Sequence, residues 1–186
     1  MEPVRLIKGN VTVLDRADVD TDQIIPAQYL KRVERTGFGQ FLFDEWRKDP
    51  DFHLPPNPIL AAGPNFGSGS SREHAPWALQ DYGFQAIVSS SFADIFFSNC
   101  LKVGLLPVRL PEPEVRALME AAQAEVDLEA LEVRFGGRAV PFEIDPDRRR
   151  RLLEGLDDIA LTLQLDDAIA AYERERERTG PVTTAL

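Results

Sequence analysis

Sulfur and imidazole are scarce in this chain, which has one cysteine, Cys100, and two histidines, His53 and His74. A single thiol excludes an internal disulfide framework, and together with two imidazoles it cannot assemble a zinc site of nitrogen and sulfur ligands. The same scarcity excludes an iron–sulfur cluster ligated by this chain alone, because such clusters are held by several Cys thiolates. Long apolar runs are missing too. No stretch approaches the ~18 residues that suggest a membrane span, and the opening MEPVRLIKGN lacks the basic-then-apolar order of a signal segment. The expectation is a cytoplasmic protein. Positive charge is also in deficit, with 21 Lys and Arg against 31 Asp and Glu. A formal net charge of -10 repels a nucleic-acid backbone or an anionic bilayer, so small molecules and proteins are the expected partners.

What is present has an ordinary globular balance: 186 residues, 44% hydrophobic and 28% charged. With no internal repeat or low-complexity linker, residues 1–186 read as one domain, with a flexible tail over 179–186. Val4–Leu14 is rich in β-branched residues and interrupted by Gly9-Asn10, which predicts an opening strand or hairpin. The aromatics of Phe38–Trp46 fall at roughly helical spacing, and the four prolines of Asp49–Pro58 predict an exposed connection. Ile59–Ala62, a Gly/Ser turn, a helix through Tyr82 and the strand-like Gln85–Val88 form a βαβ unit. A helix over Ser91–Leu101, a strand over Leu105–Leu110 and an amphipathic helix over Glu112–Ala124 repeat the alternation. Runs at Asp127–Phe135 and Arg138–Ile144 flank Gly136-Gly137 as a hairpin. Segments over Asp145–Gly155 and Asp166–Arg178 finish the chain, the last with a Glu/Arg alternation that suits a solvated helix face. Together these predict an α/β domain with a mixed sheet.

The stretch NFGSGSSREHAPWAL, from Asn65 to Leu79, resembles a Gly/Ser connector in composition but lies between a strand and an amphipathic helix. Backbone N–H groups and a helix dipole converge on an anion at such a turn. No lysine follows Gly67 or Gly69, so the nucleotide-binding Walker spacing fails, and Gly69-Ser70-Ser71-Arg72-Glu73 ends in glutamate where a hydrolase elbow needs glycine. What remains is two hydroxyls, Ser70 and Ser71, beside the fixed cation Arg72 at a helix start, an arrangement suited to a carboxylate-bearing substrate. Glu73 and His74 read first as structural. In the acidic loop DRADVDTDQIIP, Asp18, Asp20 and Asp22 mimic a calcium loop, but Gln23 stands where glycine is required and Tyr29 where a glutamate is required. Turn-forming aspartates are the plain reading, and one of them meeting the Ser-Arg site is the sharper one.

Three segments in order resemble the small subunits of 3-isopropylmalate dehydratase, the isopropylmalate isomerase of leucine biosynthesis. They are DVDTDQIIPAQYLKRVERTGFGQFLFDEWR, NFGSGSSREHAPWALQDYGFQAIVSSSFADIFFSNCLKVGLLPV and GLDDIALTLQLDDAIAAYE. The resemblance implies the swivelling β/β/α fold of the fourth domain of aconitase, a mixed sheet with flanking helices. It also implies a large subunit that holds a 4Fe-4S cluster, and a hydro-lyase reaction from 2-isopropylmalate through 2-isopropylmaleate to 3-isopropylmalate. Ser70, the first serine of GSSR, is similar to the aconitase base that removes the carbon-bound proton. Arg72 would grip a substrate carboxylate, Ser71 would hydrogen-bond in the site, and Asp22 of DTD matches an active-site aspartate. Lys31 or Arg32 lies near the place of a further substrate arginine, no metal ligand falls on this chain, and the YLKRVERTGFG loop would read the substrate's side group.

Other readings stay open: a small subunit for homoaconitate, citraconate or another 2-hydroxy acid, a non-catalytic anion-binding module in which Ser70 caps the helix, and an autonomous serine hydrolase. A helix N-terminus supplies ~0.3 to 1 kcal/mol, up to ~2 when partly buried, which moves a hydroxyl by about one pKa unit. A serine base therefore needs Arg72, oriented N–H groups and a closed site supplied by a partner. The isolated chain is expected to show no turnover, measured as hydration of 2-isopropylmaleate, until the large subunit is added.

Overall fold

The β-branched opening of the chain forms one continuous strand, β1 (Leu6–Leu14), in the computed structural model, which describes residues 1–31 and 36–180, with backbone alone at 177–179. Gly9-Asn10 does not fold it into a hairpin. A Cβ on Gly9 would lie 2.4 Å from Pro58 Cγ, so the glycine lets the next strand's leading proline press against β1.

After the short α1 (Thr21–Ile24), the expected βαβ unit forms from β2 (Ile59–Ala62), α2 (His74–Tyr82) and β3 (Ala86–Ser89). The alternation continues through α3 (Asp94–Val103), β4 (Leu106–Arg109) and α4 (Glu112–Met119). Then come β5 (Gln123–Asp127), β6 (Glu132–Phe135) and β7 (Arg138–Pro141), and finally α5 (Pro146–Glu154), α6 (Asp158–Leu163) and α7 (Asp166–Thr179). The described residues build a seven-stranded sheet in the order β4-β3-β2-β1-β5-β6-β7. Strands β1 to β4 run parallel to their neighbours, whereas β5, β6 and β7 pair antiparallel. This is the expected mixed sheet with flanking helices. The hairpin at Gly136-Gly137 also forms, joining β6 to β7.

Four local expectations are corrected. The helix ends at Met119 rather than reaching Ala124, because Gln123–Asp127 pairs with the first half of β1, Ile7 opposite Val126. The Asp127 carboxylate then accepts N–H bonds from Glu129 at 3.0 Å and Ala130 at 2.8 Å, turning the chain into β6 as a separate strand. The helix expected from Ser91 starts at Asp94, because Ser91–Ala93 bridges Phe66: Phe66 N–H donates to Ser91 C=O, and Ala93 N–H to Phe66 C=O, both at 3.1 Å. The aromatics of Phe38–Trp46 form the 3₁₀ turns Gly39–Phe41 and Trp46–Lys48 rather than a helix. Phe43 has φ +50 there, which breaks a helix, and Phe38, Leu42 and Phe43 are all wholly buried in the first core. The proline-rich connection is not simply exposed. Leu54 is buried and its carbonyl accepts a bond from Tyr82 Oη, while Thr12 Oγ1 donates to Pro55 C=O at 2.7 Å.

Alternating positions of the parallel strands feed two cores. Leu60 and Ile87 pack with Phe66, Leu79, Phe96 and Cys100 on one face, and Ala61 and Val88 pack with Ile7, Val126, Val133 and Leu118 on the other. A fully buried Leu or Ile stabilises by ~1.5 to 3 kcal/mol relative to exposure, which is why strands covered on both faces carry almost continuous apolar runs. Helix α7 is exposed along nearly all of its described length, including the expected solvated Glu173 to Arg176. No helix among the described residues is long and apolar enough to cross a membrane.

Cys100 lies in the first core with no exposed surface, and burial pushes its thiol well above the ordinary 9.0. The folded protein should therefore resist maleimide at neutral pH and label fully only after denaturation, as intact mass spectrometry would show; ready labelling of the folded chain would contradict this packing.

Candidate functional site

Strands β1, β2 and β3 are parallel neighbours, so their carboxyl ends lie side by side and the loops that follow are forced together, the usual place for a ligand in such a sheet. Backbone bonds stitch the loops. Gly63 N–H donates to Leu14 C=O at 3.1 Å, Asp18 N–H to Pro64 C=O at 2.9 Å, and Gly67 N–H to Val19 C=O at 2.7 Å. Thr21 N–H donates to Ser68 C=O at 2.9 Å. The loop after β3 joins them, with Asn65 N–H donating to Ser91 Oγ at 2.7 Å. Gly67 has φ +79, and a Cβ there would sit 2.1 Å from the Phe96 ring, so no other residue fits at this crossing. The Gly/Ser stretch is an ordered, tethered turn.

The acidic loop divides its aspartates between the two roles expected of them. Asp18, at φ +55, accepts from Asn65 Nδ2 at 2.8 Å and shapes the turn. Asp20 caps α1 in a reciprocal box with Gln23, its carboxylate accepting Gln23 N–H at 2.8 Å while Gln23 Oε1 accepts Asp20 N–H at 2.9 Å. Asp22, presented by that capped turn, pairs with the Arg72 guanidinium. Arg72 is held with its side chain 18% exposed, while Asp22 is 56% exposed. Between these two aspartates sits Thr21, 1% exposed, whose Oγ1 accepts Ser70 N–H and donates to Ser70 C=O, each at 3.1 Å.

Ser70, Ser71, Arg72 and Asp22 are thus brought together, but not at the helix start that the sequence suggests. Helix α2 begins at His74, with Glu73 as its N-cap and no side-chain cap bond, so Ser70 and Ser71 lie in the irregular turn ahead of it. The dipole decays beyond the first turn, so Ser70 receives less from it than a residue at the cap. The same geometry removes the capping role for Ser70. Its side chain is exposed and Oγ has no hydrogen-bond partner among the described residues. His74 is no base for it either, since its ring packs edge-on to Phe38 at 5.2 Å and against Trp77 at 4.8 Å. Lys31 ends a 3₁₀ turn over Ala27–Lys31, exposed and joined to the site by no hydrogen bond or ion pair among the described residues. Arg32 lies outside the described residues, as does part of the YLKRVERTGFG loop. Cavities of about 260, 560, 590 and 700 Å³ occur on the chain, and none is lined by Ser70, Ser71 or Arg72. Ser70 and Ser71 are exposed, and Arg72 is largely covered. Sequence reasoning missed Thr21 and Asn65; the one available signal was Thr21's place inside DTD, between two residues already singled out.

With this geometry in view, comparison with known proteins gives a consistent result. Residues 55–113 match the aconitase C-terminal domain, and residues 158–182 match the C-terminal domain of the 3-isopropylmalate dehydratase small subunit. The 3-isopropylmalate dehydratase small subunit of Rubrobacter xylanophilus is 54% identical over 97% of this chain and 98% of its own length. That of Geobacillus kaustophilus is 53% identical over 94% of this chain and 97% of its own. The crystal structure of 3-isopropylmalate dehydratase from Methanocaldococcus jannaschii superposes with a TM-score of 0.70 at 27% identity, covering 90% of this chain and 99% of that one.

Partial burial lowers the His74 pKa from its ordinary 6.5; Glu73 acts to raise it, and the Arg72 charge to lower it further. Because the folded pKa lies below the unfolded one, the unfolded chain binds the proton first as pH falls. The contribution of neutral His74 is complete above 6.5 and lost as pH drops through the folded value. Urea melts from about pH 7.5 to about pH 5 should show wild type losing stability relative to His74→Gln over that window; a constant difference would remove the effect.

Proposed function

Because the chain belongs to the 3-isopropylmalate dehydratase small-subunit family, we propose that it is the smaller half of a hydro-lyase that interconverts 2-isopropylmalate and 3-isopropylmalate through 2-isopropylmaleate in leucine biosynthesis. A large subunit completes the enzyme, and in this reading that subunit holds a 4Fe-4S cluster and the pair works in the cytoplasm. In this reading the cluster is not this chain's to hold, since its one cysteine, Cys100, is fully buried and such clusters take several Cys thiolates. The steps assigned to this chain are those of its own side chains.

The observation that carries the residue roles is the exposed Ser70 hydroxyl, without a hydrogen-bond partner among the described residues, two residues from an Arg72 guanidinium fixed by Asp22. Arg72 binds a substrate carboxylate, and its charge stabilises the negative charge that grows on that carboxylate as the neighbouring carbon loses its proton. Ser70 Oγ, in its alkoxide form, takes that proton as the hydroxyl on the adjacent carbon leaves toward the large subunit, which would receive it, and the Ser70 hydroxyl returns a proton when hydroxide adds back in the rehydration step. Ser71 offers a second hydroxyl to the carboxylate, Asp22 orients Arg72, and Lys31 or Arg32 supplies a further cation to the dianionic substrate. Ser70 lies ahead of the helix, so its activation rests on Arg72 and on exclusion of water by the large subunit rather than on the dipole.

In the complex with the large subunit, Ser70→Ala should lower kcat about 10² to 10⁴-fold, the range for a lost general base, with assembly intact by gel filtration. Arg72→Lys, which loses the planar fork, should chiefly raise KM. Wild-type turnover in an assembled Ser70→Ala complex would end the base assignment.

A further inference from the structure

A single hydroxyl ties the Ser70 backbone to the acidic loop, and within the turn the Ser70 C=O also accepts the Arg72 N–H at 2.8 Å. Thr21 Oγ1 accepts the Ser70 N–H and donates to the Ser70 C=O, both at 3.1 Å, and the Thr21 N–H donates to Ser68 C=O at 2.9 Å. The side chain making these bonds is 1% exposed, while Ser70 itself is exposed. The buried threonine hydroxyl thus takes the Ser70 N–H by itself and shares the Ser70 C=O with the Arg72 N–H, which fixes the peptides flanking Ser70 against the acidic loop and with them the direction of its Cα–Cβ bond. The next residue, Asp22, reaches across to Arg72, two positions beyond Ser70. Thr21 and Asp22 therefore act as adjacent struts, one setting the hydroxyl and one setting the cation. Both are presented by a four-residue turn locked by the Asp20–Gln23 capping box.

We propose that Thr21 is a positioning residue for the reaction: its hydroxyl holds Ser70 Oγ in line with the carbon-bound proton, and it touches no substrate itself. This rests on the reading of Ser70 as the base. The hydroxyl is the active part, since serine can make the same two bonds and valine, with the same shape, makes neither.

The test uses the complex with its large subunit, carrying Thr21→Val, Thr21→Ser and Ser70→Ala in turn. The substrate is 2-isopropylmalate, with and without deuterium on the carbon that loses its proton. Thr21→Val should lower kcat about 10- to 100-fold, the cost of a small misplacement of a reacting group. KM should stay near wild type, and the primary isotope effect on kcat should rise as proton abstraction becomes more rate-limiting. A merely structural role would reduce the amount of active complex and leave the isotope effect unchanged. Thr21→Ser should stay close to wild type. An unchanged kcat in Thr21→Val, a loss confined to KM, a fall without a rise in the isotope effect, or an equal loss in Thr21→Ser would overturn the proposal. So would a Thr21→Val chain that fails to fold or assemble while Thr21→Ser behaves normally, since that assigns the hydroxyl to stability. Ser70→Ala separates the two levels. Turnover in that variant removes the base reading itself, whereas an inactive Ser70→Ala beside a fully active Thr21→Val removes only the role of Thr21.

Discussion

Strand β1 is paired on both edges by different halves of its length: residues 6–10 run antiparallel to β5, and residues 11–14 run parallel to β2. It is the seam between the parallel and antiparallel parts of the sheet, and the other features of the molecule follow from it. Its first half turns Ile7 into the core that holds Val126 and Val133, and its last residue, Leu14, belongs to the opposite core with Phe66 and Phe96. The close approach of Pro58 at Gly9 brings β2 in beside it. Once β1 and β2 are parallel neighbours, the acidic loop after one and the Gly/Ser loop after the other have no separate paths, and their backbones pair.

That pairing turns a mobile-looking composition into a site. Six residues of the Gly/Ser stretch and its flanks, Pro64, Asn65, Gly67, Ser68, Ser70 and Arg72, are bonded to residues 18–22 through main chain or side chain. The cation and the residue that carries the hydroxyl then stand on a tethered backbone, with little backbone freedom left to lose on binding. Yet the Ser70 hydroxyl is exposed to solvent, which levels its basicity, while Arg72 is held largely covered beside the more exposed Asp22. A hydroxyl organised at its backbone but still in solvent fits the proposed completion of the site by a large subunit.

The chain order of strands and helices was largely legible, because each βαβ segment carries its own period and its own turn residues. The failures share a cause. Gln123 and Ala124 continue an amphipathic helix by local pattern, and pairing with the edge of β1 draws them into the strand Gln123–Asp127. The aromatics from Phe38 to Trp46 have helical spacing, but Phe43 N–H donates to the distant Ile24 C=O at 2.9 Å and the residue takes φ +50, which interrupts a helix. Ser91 to Ala93 looks helical until its main-chain groups are taken by Phe66. In each case a long-range partner outbid a local preference.

For the site, residue types and spacing in GSSR were enough to single out Ser70, Ser71 and Arg72, the family resemblance of DTD pointed to Asp22, and the single cysteine excluded an iron–sulfur cluster held by this chain alone. Those are properties of single residues, and a sequence states them directly. What only the tertiary structure decided is the division of labour: Asp18 turns the chain, Asp20 caps, Asp22 pairs with Arg72, and Thr21 holds Ser70. It also decided that the helix begins at His74, beyond the serines. These facts depend on contacts between positions about fifty residues apart in the chain, and such contacts arise from the parallel pairing of β1 with β2, which no local pattern encodes.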